Sequence, residues 1–162
     1  GEMLGSHRMF QKMCMYEESI RVPLMIKPPA GTKLDTAPRR RQLTSHVDLS
    51  ATMCDYAGLD WNPADGMSLR PILEDATATG RPLVFSEFNG NAGRGNFQRA
   101  ATSETHKYIH NEGDKPELYD TANDPLETTN LAGTAGSTEI ETAMRGALKQ
   151  WMAETNDFLS LT

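Results

Sequence analysis

Apolar residues in the first half of the chain come in short, separated groups, and their spacing predicts the elements. Val22-Pro23-Leu24-Met25-Ile26 is apolar and partly β-branched, the pattern of a buried strand. Pro23 lacks a ladder donor and belongs at the strand's start or edge. Lys27-Pro28-Pro29-Ala30-Gly31 ends this group, and residues 31–42 are polar and include Arg39-Arg40-Arg41, a solvated loop or an anion grip. Ser45, three residues before Asp48, suits a helix N-cap. From there Val47, Leu49, Ala51, Met53, Cys54, Tyr56 and Ala57 place apolar residues on more than one face, predicting a helix buried between layers and stopped at Gly58. Asn62-Pro63-Ala64-Asp65-Gly66 is turn chemistry, and Ser68 to Leu73 reads as a loop entering a short helical turn.

The pattern changes after the small, polar stretch from Ala76 to Gly80, where a boundary is expected. Strands are predicted at 83–88, 98–102, 107–110 and 117–119, with connections short enough for an antiparallel meander. Between the first two lies Asn89-Gly90-Asn91-Ala92-Gly93-Arg94-Gly95-Asn96, a flexible loop suited to reach over a neighbouring pocket. Ile140, Met144, Ala147, Leu148 and Trp151 recur at helical spacing. They predict an amphipathic helix from about 138 to 156, opened by a Thr138–Glu141 capping box and covering one face of the sheet. No internal repeat is visible.

Composition narrows the classes. The 162 residues are 38% hydrophobic and 23% charged, enough for one ordinary domain or two small ones. No run of about 18 apolar residues predicts a membrane span. A net charge of −6 argues against a nucleic-acid partner but not against an anionic ligand held by local cations. Cys14 and Cys54 form neither a disulfide framework nor a Cys-x-x-Cys zinc motif and are expected as free thiols. His46, His106 and His110 have no metal-ligand spacing.

The candidate chemistry lies in Gly5-Ser6-His7 and in Lys12, which is set among Phe10, Met13, Cys14 and Met15. A lysine in such surroundings is either a snorkelling surface cation, the heavier reading on residues alone, or a point charge awaiting an anion. His7 alone is more often structural than catalytic. Glu17 and Arg21 are spaced as a structural pair.

The order Gly5-Ser6-His7, Lys12, Tyr16-Glu17, Arg21-Val22-Pro23-Leu24 resembles a stretch of the sulfatase family, members of the alkaline phosphatase superfamily. Ser45-His46-Val47-Asp48-Leu49, Val84-Phe85-Ser86-Glu87, Lys107-Tyr108-Ile109, Glu117-Leu118-Tyr119-Asp120, Asn123-Asp124-Pro125 and Asn130-Leu131-Ala132 continue the resemblance over nearly the whole chain. It implies an α/β plus α+β architecture. Residues 1–76 would end an alkaline-phosphatase-like catalytic domain, and residues 77–162 would form a small four-stranded antiparallel sheet packed by a C-terminal helix. It implies a sulfuric ester hydrolase working with calcium and a formylglycine nucleophile. The Cys/Ser-x-Pro/Ala-x-Arg motif that yields formylglycine is absent around Cys14 and Cys54, so nucleophile and calcium ligands are expected upstream of Gly1, with no metal ligand in this chain. Lys12 is then the lysine that contacts a sulfate oxygen. His7 either donates to substrate or orients the Lys12 segment, and Arg94 is a further candidate substrate contact. The implied partners are a sulfate ester, with sulfated carbohydrates common in the family, and the missing N-terminal catalytic portion. The chain alone is expected to be inactive and to self-associate. The resemblance is compatible with a periplasmic or extracellular location. A phosphonate or phosphodiester hydrolase of the same superfamily, and a non-catalytic binding or assembly module, are the alternatives.

Overall fold

The computed structural model describes residues 1–35, 39–60, 65–91 and 94–161, with the backbone alone at 91, 94 and 95. Two compact units account for them: Gly1–Pro23 with Phe85–Thr162, and Leu24–Val84. These limits differ from the expected parts, 1–76 and 77–162, because the first residues of the chain pack with the later sheet.

The first unit is built on a four-stranded sheet, β1 (Val84–Asn91), β2 (Arg94–Thr102), β3 (Lys107–Asn111) and β4 (Glu117–Tyr119), in spatial order β1-β2-β3-β4. The β2–β3 and β3–β4 pairs are antiparallel, with Ala100 opposite Ile109 and Tyr108 opposite Leu118. The period of two sends Ala100, Ile109 and Tyr119 to one face, where Met15 joins them and Tyr16, Ile20 and Phe88 pack around the cluster. Ala101, Tyr108 and Leu118 are buried on the opposite face. There α4 (Thr138–Glu154) packs against β2 and β3 and buries Met144, Leu148 and Met152, with Trp151 stacked on Phe85 at 5.0 Å. The helix expected over one face is therefore present, and the residues before Arg21 cover the other.

Several local expectations are corrected. The Gly/Asn-rich stretch at 89–96 is not a long loop, since its described residues extend β1 to Asn91 and start β2 at Arg94. The Thr138–Glu141 capping box does not form. Ser137 occupies the cap without a side-chain cap bond, its hydroxyl donates to the Leu131 carbonyl, and Glu141 accepts from the Gly133 N–H at 2.8 Å. Residues 22–26 form no strand, and Met25 is 93% exposed. An apolar β-branched run fits a sheet only where a neighbouring strand offers its ladder, and none of the described strands does.

The second unit carries α2 (Val47–Tyr56) and α3 (Arg70–Glu74). α2 is not apolar-buried all round: Val47 is 45% and Met53 69% exposed, and its inward face is polar. Asp48, fully buried, accepts from the Ser45 N–H at 2.8 Å, the Met67 N–H at 2.9 Å and the Arg81 guanidinium. One turn on, Thr52 donates to the Asp48 carbonyl at 2.6 Å and accepts from the Leu69 N–H at 2.8 Å. The Ser45–Asp48 start is thus half of a reciprocal cap, the carboxylate reaching back to the serine N–H. Gly58 ends the helix as expected: it takes φ 67°, and the N–H groups of Gly58 and Leu59 return to the carbonyls of Asp55 and Cys54, a Schellman closure. Within the triple arginine, Arg40 donates to the carbonyls of Ile72 and Leu73 at the end of α3, a structural task rather than an anion grip.

Burial alone would raise the Asp48 carboxyl, but the bonds from Arg81, Met67 and Ser45 together hold it below its ordinary 3.8. A depressed folded pKa gives stability that is present above 3.8 and lost as pH falls through the folded value. Urea unfolding of the second unit is expected to show this acid loss, and Asp48→Asn to flatten it. At neutral pH, Asp48→Ala is expected to cost about 3–5 kcal/mol, because Arg81 is left without its carboxylate.

Candidate functional site

The segment that carries Lys12 is held in an improbable shape. Leu4, His7, Arg8 and Gln11 all adopt left-handed φ values between 48° and 68°, and Gly5 stands at 97°. Each such non-glycine residue costs roughly 1–2 kcal/mol, so the loop persists only because other contacts over-determine it. A short turn at Ser6–Arg8 is pinned by Gly5 N–H to Met9 O at 2.9 Å and Met9 N–H to Ser6 O at 2.8 Å. Met3 N–H closes on Gln11 O at 2.9 Å, the Gln11 N–H donates to Glu2, and buried Met3 packs beside the Cys14 thiol.

Lys12 emerges from this loop exposed. It lines an open cleft of about 460 Å³ with Glu2, Gln11, Met13 and, from β1, Phe88 and Gly90. His7 is not among these lining residues. Its ring lies flat on Tyr16, centroids 4.0 Å apart and planes 2° from parallel, and its Nε2 meets the Leu126 carbonyl at 3.0 Å. A carbonyl only accepts, so Nε2 carries the proton. Arg94 opens β2, but its side chain lies outside the described residues.

The elements that hold Lys12 are more informative. α1 (Glu17–Ile20) follows it directly, and Ser19 donates to the Lys12 carbonyl at 2.8 Å. Ser6 donates to the Glu18 carboxylate. Burial alone would raise Glu18, but this bond and a backbone N–H, with His7 and Lys107 nearby, bring it below its ordinary value. Glu17 does pair with Arg21, at 3.5 Å with the arginine mostly in solvent, a contact worth about 0–1 kcal/mol. Its stronger partner is Lys107 of β3, whose Nζ stands 2.6 Å from Glu17 Oε1 and 2.7 Å from Glu127 Oε1. The Lys107 and Glu127 side chains are 0% exposed, and the other oxygen of Glu127 accepts the Glu17 N–H at 2.7 Å. Burial pushes the Glu127 carboxyl up, although Lys107 pulls the other way.

Beside it, Glu117 accepts from Tyr16 at 2.8 Å, from the Tyr119 hydroxyl and from Asn111 at 2.7 Å. Burial pushes the Tyr16 phenol up to about 12 and Tyr119 higher still, so both act as donors rather than phenolates near neutrality. Sequence pattern alone assigns no role to Lys107, Glu127 or Glu117. The alternation Lys107-x-Ile109 could have revealed Lys107, since it puts the lysine on the same inward face as a core isoleucine. Among the described residues no group of three or more His, Cys, Asp or Glu could hold a metal ion, and no helix is long and apolar enough to cross a membrane.

A four-stranded antiparallel sheet closed by a C-terminal helix is an arrangement the chain shares with solved sulfatases of the alkaline-phosphatase-like fold. Residues 5–154 match the family model described as N-sulphoglucosamine sulphohydrolase, C-terminal, and the chain belongs to the sulfatases. It is 36% identical to arylsulfatase K of Mus musculus over 82% of this chain and 25% of the relative. It is 30% identical to N-acetylglucosamine-6-O-sulfatase of Bacteroides thetaiotaomicron over 97% of this chain and 29% of the relative. A solved 2-O GAG sulfatase superposes with TM-score 0.84 at 33% identity, covering 97% of this chain and 35% of the other. The phosphonate monoester hydrolase of Agrobacterium radiobacter superposes with TM-score 0.58 at 30% identity, over 70% of this chain and 25% of the other. The chain thus spans between a quarter and just over a third of the length of these relatives.

Lys107→Met leaves two carboxylates facing each other without their cation and is expected to destabilise the first unit by about 3–5 kcal/mol. A raised folded pKa favours the folded state fully below the ordinary 4.5, and that contribution is lost as pH rises through the folded value. Without the ammonium the folded value climbs further. Urea melts from pH 4.5 to 8 are therefore expected to show a steeper loss of stability with rising pH in Lys107→Met than in the parent.

Proposed function

We propose that the whole protein of which this chain is a part hydrolyses sulfate esters, and that Lys12 contacts a sulfate oxygen. The observation that supports this reading most is the placement of Lys12, exposed at the mouth of a cleft on a strained, multiply pinned loop. In this reading residues 1–76 end the large α/β catalytic domain and residues 77–162 are its small companion. Calcium and the formylglycine nucleophile belong to the remainder of the protein. Among the described residues no group of three or more His, Cys, Asp or Glu could hold the ion.

The part assigned to this chain is electrostatic. As the S–O bond breaks, charge grows on the leaving and peripheral oxygens. An ammonium aimed at those oxygens stabilises that charge more than water does once bound substrate and the rest of the protein close off the open cleft. Orientation by His7 acts through the loop rather than on substrate, and Arg94 remains a proposed substrate contact. Names among the relatives favour sulfated carbohydrate as substrate: an N-acetylglucosamine-6-O-sulfatase and a 2-O GAG sulfatase both align over nearly the entire chain. The second reading, a phosphonate monoester hydrolase, rests on a neighbour that aligns over a smaller share.

In the whole protein, Lys12→Ala is expected to lower turnover of an aryl sulfate by about 10²–10³-fold, the scale for one such donor. Unchanged turnover removes Lys12 from the site, and faster hydrolysis of a phosphonate ester than of the sulfate by the parent favours the second reading. The chain by itself is proposed to be inactive and to self-associate through exposed Leu24, Met25, Val47 and Met53, and light scattering at increasing concentration is expected to show species larger than the monomer.

A further inference from the structure

We propose that Ser19, with Glu18, is a positioning residue for Lys12: the single turn α1 is a jig that sets where the lysine's backbone sits. This inference rests on the reading of Lys12 as the sulfate-binding cation. Three consecutive side chains of α1 leave it in three directions. Glu17 ties it to Lys107 through the carboxylate, while its backbone N–H donates to Glu127, both partners being fully buried in the sheet unit. Glu18 receives the Ser6 hydroxyl from the loop that carries His7. Ser19 donates to the carbonyl of Lys12 itself.

The loop needs such ties. Four of its non-glycine residues are left-handed, a conformation that it would leave if released. Lys12 has a flexible four-carbon stem, so the pocket can fix its ammonium only if the backbone from which it springs is already fixed. Met3 secures the residue before it, through the Gln11 carbonyl, and Ser19 secures Lys12 directly. Displacement by about 1 Å at a reacting centre can cost up to about 10²-fold in rate, so losing one tie of several is expected to cost about tenfold.

The experiment is a double-mutant cycle in the whole sulfatase, with kcat and KM measured on an aryl sulfate for Ser19→Ala, Lys12→Ala, the pair, and Ser19→Thr. The proposal predicts that Ser19→Ala lowers kcat by about tenfold with little change in KM, and that Ser19→Thr restores most of the loss. It also predicts that Ser19→Ala lowers nothing further once Lys12 is alanine. A merely structural serine would lower both backgrounds by the same factor, and that result, or an unaffected Ser19→Ala enzyme, overturns the proposal while leaving Lys12 in its role. An unaffected Lys12→Ala enzyme overturns both. If Ser19→Ala does not accumulate as folded protein, Glu18→Gln replaces it in the same cycle with the same expected pattern.

Discussion

One ammonium group holds the amino-terminal segment to the sheet. Lys107 sits without solvent contact on β3 and faces two carboxylates, Glu17 from the segment after Lys12 and Glu127 from the turn beyond β4. Burying such a cluster is expensive, and replacing all of it with apolar side chains would often be neutral or better for stability. Its advantage is specificity: an apolar contact tolerates sliding, whereas Lys107 with the Glu17 N–H bonded to Glu127 admits one placement of α1. The apolar cluster of Met15, Ala100, Ile109 and Tyr119 contributes area beside it, and the ionic cluster sets the register.

From that anchor the rest follows outward. With α1 placed, Ser19 bonds the Lys12 carbonyl and Glu18 the Ser6 hydroxyl of the strained loop, Lys12 lines its cleft, and His7 lies against Tyr16. Tyr16 is in turn held by Glu117, which Asn111 and Tyr119 also satisfy. A single buried polar layer, carried by β3, β4 and the turn beyond, thus supports a loop several contacts away.

The sheet was legible because its strands alternate cleanly and end at turn residues, and α4 because Met144, Leu148 and Trp151 keep helical spacing. The glycines at 90, 93 and 95 disguised the ends of β1 and β2 as a loop. The apolar run at 22–26 states a preference for burial but not the partner that would satisfy it, and no described strand pairs with it. Glu141 has the right spacing for a capping box, yet its carboxylate accepts the Gly133 N–H instead. Lys12 stood out only through family resemblance. Lys107 was hidden because a lysine in a strand is ordinarily read as solvated, and the two glutamates that make its burial tolerable come from 90 residues before it and 20 after it in the sequence.

The Lys107 cluster is inferred to lock α1 to the sheet. Native-state hydrogen exchange of the Glu17 amide, the N–H bonded to Glu127, tests it most directly. The claim predicts that this amide exchanges as slowly as the core sheet amides of Ala100 and Ile109, opening only with the unit as a whole. Exchange at the rate of a solvent-exposed loop amide while the sheet stays protected would contradict it.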